Sequence, residues 1–210
     1  MSNITFAAIS PHPPILLPST GSEEDRKKVK KTIESLEILG KKLKEANPDS
    51  IIISSPHPDW GFNVPLYFLA QDFKGKIEQH LISLESSQFY FDEGKKLYTR
   101  YKIQDTRYAL IASGDMSHCL KEDGPYGFNP DGPKFDKELI ESLKKKDIEK
   151  ILKLDNLYPE AGECGLRSFC FLLGILEAHS ASSGQAWLPE ILSYEGPFGV
   201  GYSVANFKLK

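Results

Sequence analysis

Three of the five histidines in this sequence each follow a short apolar segment that is typical of a buried strand. They are His12, His57 and His118. In a parallel α/β sheet the carboxyl ends of the strands share one edge, and ligands bind in the crevice there. The positions therefore predict that these three side chains point into one cleft. The other two, His80 and His179, are expected to be ordinary surface residues.

His12 and His57 both stand in the sequence Pro-His-Pro. A proline restricts its own backbone and that of the residue before it. Each histidine is therefore expected on a stiff, extended segment, which suits a preorganised metal ligand. A single Pro-His-Pro would be interpreted as the end of a strand, but two copies at two strand ends favour a metal site.

A metal site needs at least one more ligand, and the segment 161–165 is the best source. Glu163 would complete the arrangement of two histidines and one carboxylate that binds Fe(II) in non-haem oxygenases. Its neighbour Cys164 would instead give a softer site that favours zinc or copper. The alternative role of Glu163 is an acidic residue at the positive end of a helix dipole. The sequence leaves this choice open.

The remaining candidates concern proton transfer and the substrate pocket. A neutral imidazole that titrates near neutral pH suits proton transfer, which makes His118 the candidate acid/base. Its alternative is a structural histidine, with Asp115 or Ser117 as a partner. Asp115, Trp60 and Phe198 are expected beside the cleft as substrate-pocket residues.

Hydrophobic periodicity predicts the elements that must position these residues. Strands alternate with helices, which predicts a single α/β domain over 1–210, with a largely parallel central sheet flanked by helices and the metal site at the carboxyl ends of the strands. Strands are predicted at 4–10, 50–55, 80–84, 107–113 and 202–207, and helices at 22–46, 89–101, 134–154 (with a break near 146–147) and 163–178.

Composition excludes several classes of function. The 210 residues carry a net charge of −3, with 40% hydrophobic and 26% charged residues, as is ordinary for a globular protein. A nucleic-acid partner would need a concentrated basic face. The one basic run, 26–31, follows three acidic residues, and it is interpreted as the solvated face of a helix.

The cysteines and the apolar runs indicate the compartment. None of the three cysteines forms a CxxC pair, and free thiols fit a reducing environment. The amino terminus lacks the pattern of a signal peptide. No apolar run is long enough to cross a bilayer. We expect a cytoplasmic protein that does not interact with membranes.

Four motifs in order resemble one family. They are Ser-Pro-His-Pro-Pro at 10–14, Ser-Pro-His-Pro at 55–58, Gly-Asp-Met-Ser-His at 114–118 and Gly-Glu-Cys-Gly at 162–165. Together they resemble the class III extradiol ring-cleavage dioxygenase superfamily. Its type member is the catalytic subunit of protocatechuate 4,5-dioxygenase, and the Memo proteins are close relatives. The resemblance spans nearly the whole chain.

The resemblance implies Fe(II) held by His12, His57 and Glu163, with His118 as acid/base. The implied reaction opens the ring of a catechol-like or aminophenol substrate with O2. In the Memo branch a cysteine stands where the dioxygenases use glutamate, which makes Cys164 the alternative third ligand. A Memo-like protein would bind metal without cleaving rings and act in interaction or redox handling. A zinc-dependent hydrolase on the same ligands is the third hypothesis.

The resemblance also bears on partners. Related enzymes are commonly oligomeric, so a homo-oligomer is one expectation. Similar sequences are fused to an AMMECR1-type domain, and a separate partner of that type is another. This chain is shorter than typical catalytic subunits of the superfamily, so loops that shape a substrate pocket are expected to be reduced.

Overall fold

A six-stranded sheet organises the chain in a computed structural model that describes residues 4–101 and 106–210. The strand order is β3-β2-β4-β1-β6-β5. Strands β1 to β4 run parallel to one another, β6 runs antiparallel to β1, and β5 runs antiparallel to β6. The predicted α/β fold with a largely parallel sheet is confirmed. The strands are β1 (Ile4–Ser10), β2 (Ser50–Ser55), β3 (Lys76–Leu81), β4 (Tyr108–Ser113), β5 (Trp187–Glu195) and β6 (Tyr202–Leu209).

Helices cover both faces of the sheet. One apolar cluster joins the sheet to α2 and α3, and the other joins it to α4, α5 and α8. Within the described residues, no helix is long and apolar enough to span a bilayer. The helices are α1 (Glu23–Lys28), α2 (Lys30–Ala46), α3 (Trp60–Leu69), α4 (Ser87–Tyr101), α5 (Asp131–Lys145), α6 (Ile148–Ile151), α7 (Leu154–Leu157) and α8 (Leu166–Ser183).

Strand β2 shows why the central strands are apolar along their whole length. All six of its residues are buried. Successive side chains of a strand point to opposite faces. Ile51 and Ile53 accordingly join the cluster of α2 and α3, whereas Ile52 joins the cluster of α4 and α8. A strand buried on both faces by helices therefore needs apolar residues at every position.

The structure corrects several predicted boundaries. The helix predicted over 22–46 is two helices separated at Val29, although Ser22 caps the first of them by accepting the Asp25 N–H at 3.1 Å. The strand predicted at 80–84 lies earlier, at Lys76–Leu81, where its charged residues suit the edge of the sheet. Helix α3 and strand β5 were not predicted.

Candidate metal centre

Five potential ligands meet at the carboxyl edge of the parallel strands. The ligand atoms of His12, His57 and Cys164 lie within 4.8 Å of one another. Asp115, His118 and Cys164 form a second group that meets the same distance criterion. The three predicted histidines therefore do reach one cleft, and the Cys164 sulfur is common to both groups.

The ring of His12 is fixed by the end of β4. Its Nδ1 lies 2.9 Å from the Ser113 hydroxyl oxygen, and that hydroxyl donates its hydrogen to the Gly61 carbonyl at 2.5 Å. A hydroxyl has one hydrogen to give, so Ser113 accepts from His12 and Nδ1 carries the proton. The other nitrogen, Nε2, is left with a lone pair and lies 3.5 Å from the Cys164 sulfur. This is the tautomer that a metal ligand requires.

A proline in helix α3 makes this arrangement available. Pro65 lies inside the helix. A proline has no N–H, so it cannot give the Gly61 carbonyl its usual helical donor four residues later. The Ser113 hydroxyl supplies that donor instead. The break in the helical hydrogen-bond ladder therefore orients the hydroxyl that orients His12.

His57 lies at the more open side of the centre, with the turn after β2 holding its backbone. Its N–H donates to the Ser55 hydroxyl oxygen at 3.1 Å, and that hydroxyl donates to the His57 carbonyl at 3.1 Å. The His57 ring is half-buried and lies 5.1 Å from the His12 ring, between centroids. Two imidazoles at this separation can bind one ion.

Cys164, and not Glu163, faces the histidines. The Glu163 carboxylate accepts the Leu166 N–H at 2.7 Å and lies 3.3 Å from the Arg167 guanidinium. These contacts hold it at the amino end of α8, the alternative role that the sequence offered. Burial raises the pKa of Glu163, and its two partners oppose that rise. Among the described residues, Glu163 belongs to neither group of potential ligands. The geometry thus favours Cys164 over the expectation that Glu163 is the third ligand.

A close backbone contact brings Cys164 to the end of β4. A Cβ on Gly114 would lie 2.2 Å from the Gly165 Cα, so the two backbones could not approach with a side chain there. The Gly165 N–H donates to the Asp115 carbonyl at 2.9 Å, and the Asp115 N–H donates to the Cys164 sulfur at 3.3 Å. The segment before α8 is thereby fixed against the strand end, with its sulfur turned inward.

Burial shifts the pKa values of three groups in the cleft. Burial, together with the neighbouring His57 and His118, lowers the pKa of His12 to about 3, so its ring is neutral at physiological pH. Burial raises the pKa of Asp115 to about 6 and raises the pKa of the Cys164 thiol well above its ordinary value. A cation in the cleft would reverse both of these effects by favouring the carboxylate and the thiolate.

His118 is oriented by a carbonyl. Its Nδ1 lies 2.5 Å from the Gly162 carbonyl oxygen, and a carbonyl only accepts, so Nδ1 carries the proton. The lone pair is then on Nε2, where it can bind a metal or accept a proton. Gly162 has φ of +63°, and a Cβ there would lie 3.1 Å from the Cys119 sulfur. Glycine at this position therefore permits the turn that orients His118.

The predicted pocket residues divide into two groups. Asp115 lies within the centre, and the Trp60 ring lies 5.0 Å from the His57 ring. Phe198 instead packs on the apolar cluster of α2 and α3, with the Lys28 ammonium 5.7 Å from its ring. Sequence reasoning did not single out Ser113, since it belongs to no motif that marks it.

The two other histidines differ from each other. His80 is half-buried on β3, with its Nε2 3.3 Å from the Glu78 carboxylate. His179, predicted at the surface, is fully buried in α8, and its Nε2 lies 3.0 Å from the Gln185 side-chain oxygen. The prediction for His179 was wrong because this side chain faces α4, where its Nδ1 lies 3.3 Å from the Tyr98 hydroxyl, although the last residues of α8 are exposed.

The donor set fits a transition-metal ion. Two imidazole nitrogens and a sulfur are borderline and soft donors of the kind that bind iron, zinc or copper, and they disfavour magnesium or calcium. The oriented lone pair of His12 and the partly buried Cys164 sulfur supply two of these donors. An ion held by these three protein ligands would keep a further coordination position for a substrate.

Comparison with known protein families finds a match over most of the chain. Residues 55–205 match the family described as the catalytic LigB subunit of aromatic ring-opening dioxygenase. This chain belongs to that family. The matched region contains His57, His118 and Cys164, and it begins after His12.

Two relatives extend the comparison. Protein CA_C1420 of Clostridium acetobutylicum is 34% identical, with 94% of this chain and 56% of the relative aligned. The chain therefore spans about half the length of this curated relative. The crystal structure of an uncharacterized protein, JW3007 from Escherichia coli K12, has the same fold, with a TM-score of 0.60 and 16% identity. That match covers 96% of this chain and 98% of the other.

Proposed function

We propose that this protein binds a redox-active transition metal through His12, His57 and Cys164 and acts in metal-dependent redox chemistry, as a Memo-like member of the ring-opening dioxygenase family. The observation that carries the proposal is the 3.5 Å separation between the Cys164 sulfur and Nε2 of His12. The only carboxylate expected there from the dioxygenase pattern, Glu163, is engaged by helix α8.

Each residue has its own role in this proposal. His12 and His57 present ring nitrogens, and Cys164 presents a sulfur whose negative form the Asp115 N–H favours. His118 has a lone pair on Nε2 that can accept a proton from a ligand in the cleft. The metal, when bound, supplies redox chemistry and polarises a substrate oxygen.

A second candidate function is ring opening of a catechol or aminophenol with O2. Asp115 supports it, because its carboxylate lies 3.9 Å from Nε2 of His12 and could provide the carboxylate donor that Glu163 does not. His118, in the same cleft, could then serve as the acid/base. The use of Fe(II) and of a catechol or aminophenol as the substrate both belong to this second proposal. A zinc-dependent hydrolase would use the same ligands with a redox-inert ion.

The first experiment tests the ligand set. We would load the protein anaerobically with Fe(II), Zn(II) or Cu(I), and measure the bound equivalents and the dissociation constants. Cys164→Ser is expected to weaken binding by about tenfold or more, whereas Glu163→Gln is expected to leave it unchanged. Cys170→Ala is a matched control, because Cys170 is buried in the core away from both groups. Loss of binding in Glu163→Gln with retention in Cys164→Ser would overturn the proposal.

The second experiment separates the two candidate functions. Fe(II)-loaded protein would be given O2 with a panel of catechols and aminophenols, beside His118→Ala. Oxygen uptake with a ring-opened product, lost in the variant, would establish ring cleavage. Bound metal without uptake favours the Memo-like function. Tight binding of Zn(II) alone, with hydrolysis of an ester probe, would favour the hydrolase.

A further inference from the structure

The two edge strands of the sheet differ in how they are protected from further pairing. Strand β5 contains Pro189 and a bulge between Ile191 and Ser193, and both features hinder the addition of another strand. Strand β3 pairs with β2 along its whole length without a bulge, and it contains no proline. Among the described residues, β2 is the only strand that pairs with β3. The outer edge of β3 is therefore open to a further strand.

The side chains of β3 alternate between two faces, and the faces differ in character. The charged residues lie on the face of α4 and α8, where Lys76 and Glu78 form an ion pair at 3.0 Å. On the same face the His80 ring lies 5.3 Å from the Phe171 ring. The opposite face has no charged side chain, and it is exposed at Ile77 (37%), Leu81 (58%) and Gln79.

The backbone of β3 presents its free hydrogen-bonding groups at every second residue. The Ile82 N–H donates to the Ser55 carbonyl at 2.8 Å. The Ser50 hydroxyl donates to the Lys76 carbonyl at 3.0 Å. The even-numbered residues thus turn their backbone groups toward β2, and successive residues of a strand turn them to opposite sides. The odd-numbered residues of β3 therefore point their N–H and carbonyl groups to the open edge.

A second copy of β3 matches this edge in one register. Two copies related by a two-fold axis pair antiparallel, and the free backbone groups require odd-numbered residues to face odd-numbered residues. A register centred on Glu78 places this carboxylate opposite its own copy, and a register centred on His80 does the same with the imidazole. Registers centred nearer either end leave part of the strand unpaired.

The register centred on Gln79 has favourable partners at every position. It places Glu78 opposite His80, so a carboxylate meets an imidazole. It places Ile77 opposite Leu81, so the exposed apolar side chains meet each other. Cross-strand pairs of both kinds stabilise a sheet.

We propose that β3 is a self-association surface, to which a second copy of this chain adds its own β3 antiparallel, with the two-fold axis at Gln79. The two Gln79 residues would exchange backbone hydrogen bonds, and their side-chain amides can donate to each other. The sheet would then continue from one copy into the other. This association does not require the metal centre.

The size of the surface sets the expected strength. Two paired strands of this length form about six backbone hydrogen bonds across the edge. The surface is small beside the ~1,200 Å² or more that stable interfaces bury. We therefore expect a reversible dimer with a dissociation constant of roughly 10–100 μM.

Sedimentation velocity of the full chain over roughly 5–500 μM measures the association. The average mass should rise toward that of a dimer with concentration. Gln79→Pro is expected to weaken the association about tenfold or more, because proline removes an N–H at the open edge and no bond to β2. Ile77→Lys should also weaken it, since a charge on the exposed face opposes strand pairing. Circular dichroism would verify that both variants are folded.

Leu188→Lys is the matched control for Ile77→Lys. Leu188 is 38% exposed on β5, the other edge strand, so its replacement should leave the association unchanged. A chain that stays monomeric over the whole concentration range would overturn the proposal. An association that neither Gln79→Pro nor Ile77→Lys weakens would overturn it as well.

Single cysteine variants test the register. Residues that face each other in a hydrogen-bonded antiparallel pair have Cα atoms about 5.5 Å apart, a distance that a disulfide can span. Gln79→Cys should therefore form a covalent dimer under mild oxidation with diamide, and Glu78→Cys and His80→Cys should form much less. The wild type, with its own three cysteines, is the control. Preferential cross-linking at Glu78→Cys or His80→Cys would show that the two-fold axis does not lie at Gln79.

Discussion

The Nδ1 nitrogen of His12 lies 2.9 Å from the Ser113 hydroxyl, which is itself committed to a helix carbonyl. This contact fixes which imidazole nitrogen has the lone pair. Partners of this kind, which lie behind a metal ligand, commonly change metal affinity by about 10- to 100-fold. The His12–Ser113 contact leads to the first of four predictions, which concern the metal centre and the residues that surround it.

Ser113→Ala is expected to weaken zinc or iron binding by about 10- to 100-fold, because the His12 ring loses the acceptor that selects its tautomer. A competition titration with a chromophoric chelator would measure the change. Ser203→Ala is a suitable control, since the buried Ser203 hydroxyl has no hydrogen-bond partner among the described residues. Equal affinity in the two variants would show that the hydroxyl does not act on His12.

Pro65→Ala is expected to lower the metal affinity without lowering the thermal stability. The new N–H can bond to the Gly61 carbonyl, which removes the need for Ser113 there and frees its hydroxyl to rotate. The melting temperature should therefore stay level or rise while metal affinity falls, by less than in Ser113→Ala. Thermal melts and the chelator titration measure the two quantities. A variant with unchanged affinity would show that the hydroxyl keeps its orientation without the proline.

Glu163→Ala is expected to lower the stability of the fold and to leave the metal affinity unchanged. The carboxylate accepts the Leu166 N–H and contacts Arg167, so its removal should lower the free energy of unfolding by about 1–2 kcal/mol. Urea denaturation of the metal-free protein would measure this loss. Metal affinity that falls with stability to the same extent as in Cys164→Ser would argue for a direct role of Glu163 in the centre.

Asp136 is expected to make stability depend on pH. Burial raises the pKa of this carboxyl to about 7, against the hydrogen bonds from the Tyr194 hydroxyl and the Ser117 N–H. A raised pKa in the folded state gives a stabilising contribution that is complete below the unfolded value of 3.8 and is lost as pH rises through about 7. The wild type should therefore lose stability over this range relative to Asp136→Asn.

Urea denaturation at several pH values between about 3 and 8 (an interval that brackets the unfolded value of 3.8 and the folded value of about 7) tests this prediction. The unfolding free energy of the wild type minus that of Asp136→Asn should fall as pH rises. Asn keeps an oxygen for the Ser117 N–H and can donate to the Tyr194 oxygen. Parallel stability curves for the two proteins would contradict the raised pKa.

The sequence predicted the cleft because proline patterns and strand ends are local signals. Pro-His-Pro after two apolar segments was enough to bring His12 and His57 to one edge of the sheet. The choice between Glu163 and Cys164 as the third ligand had no local signal in the sequence. It depends on the contact between Gly114 and Gly165, two glycines far apart in the chain, whose approach has no signature in either segment.

The elements that escaped prediction contain proline, which normally argues against a helix or a strand. Pro65 is tolerated in α3 because a side chain from another strand replaces the missing backbone donor. Pro189 is tolerated in β5 because that strand lies at the edge of the sheet. Phe198 was expected near the cleft, but its ring is partly buried and packs against the apolar cluster of α2 and α3.

The raised pKa of the Cys164 thiol has a consequence for the lifetime of the metal-free protein. Oxidants and electrophiles attack the thiolate far faster than the thiol. While the cleft lacks a cation the sulfur keeps its proton, and it is correspondingly slow to form sulfenic acid. Uptake of a cation, which replaces that proton, is therefore the event in which the sulfur acquires its negative charge.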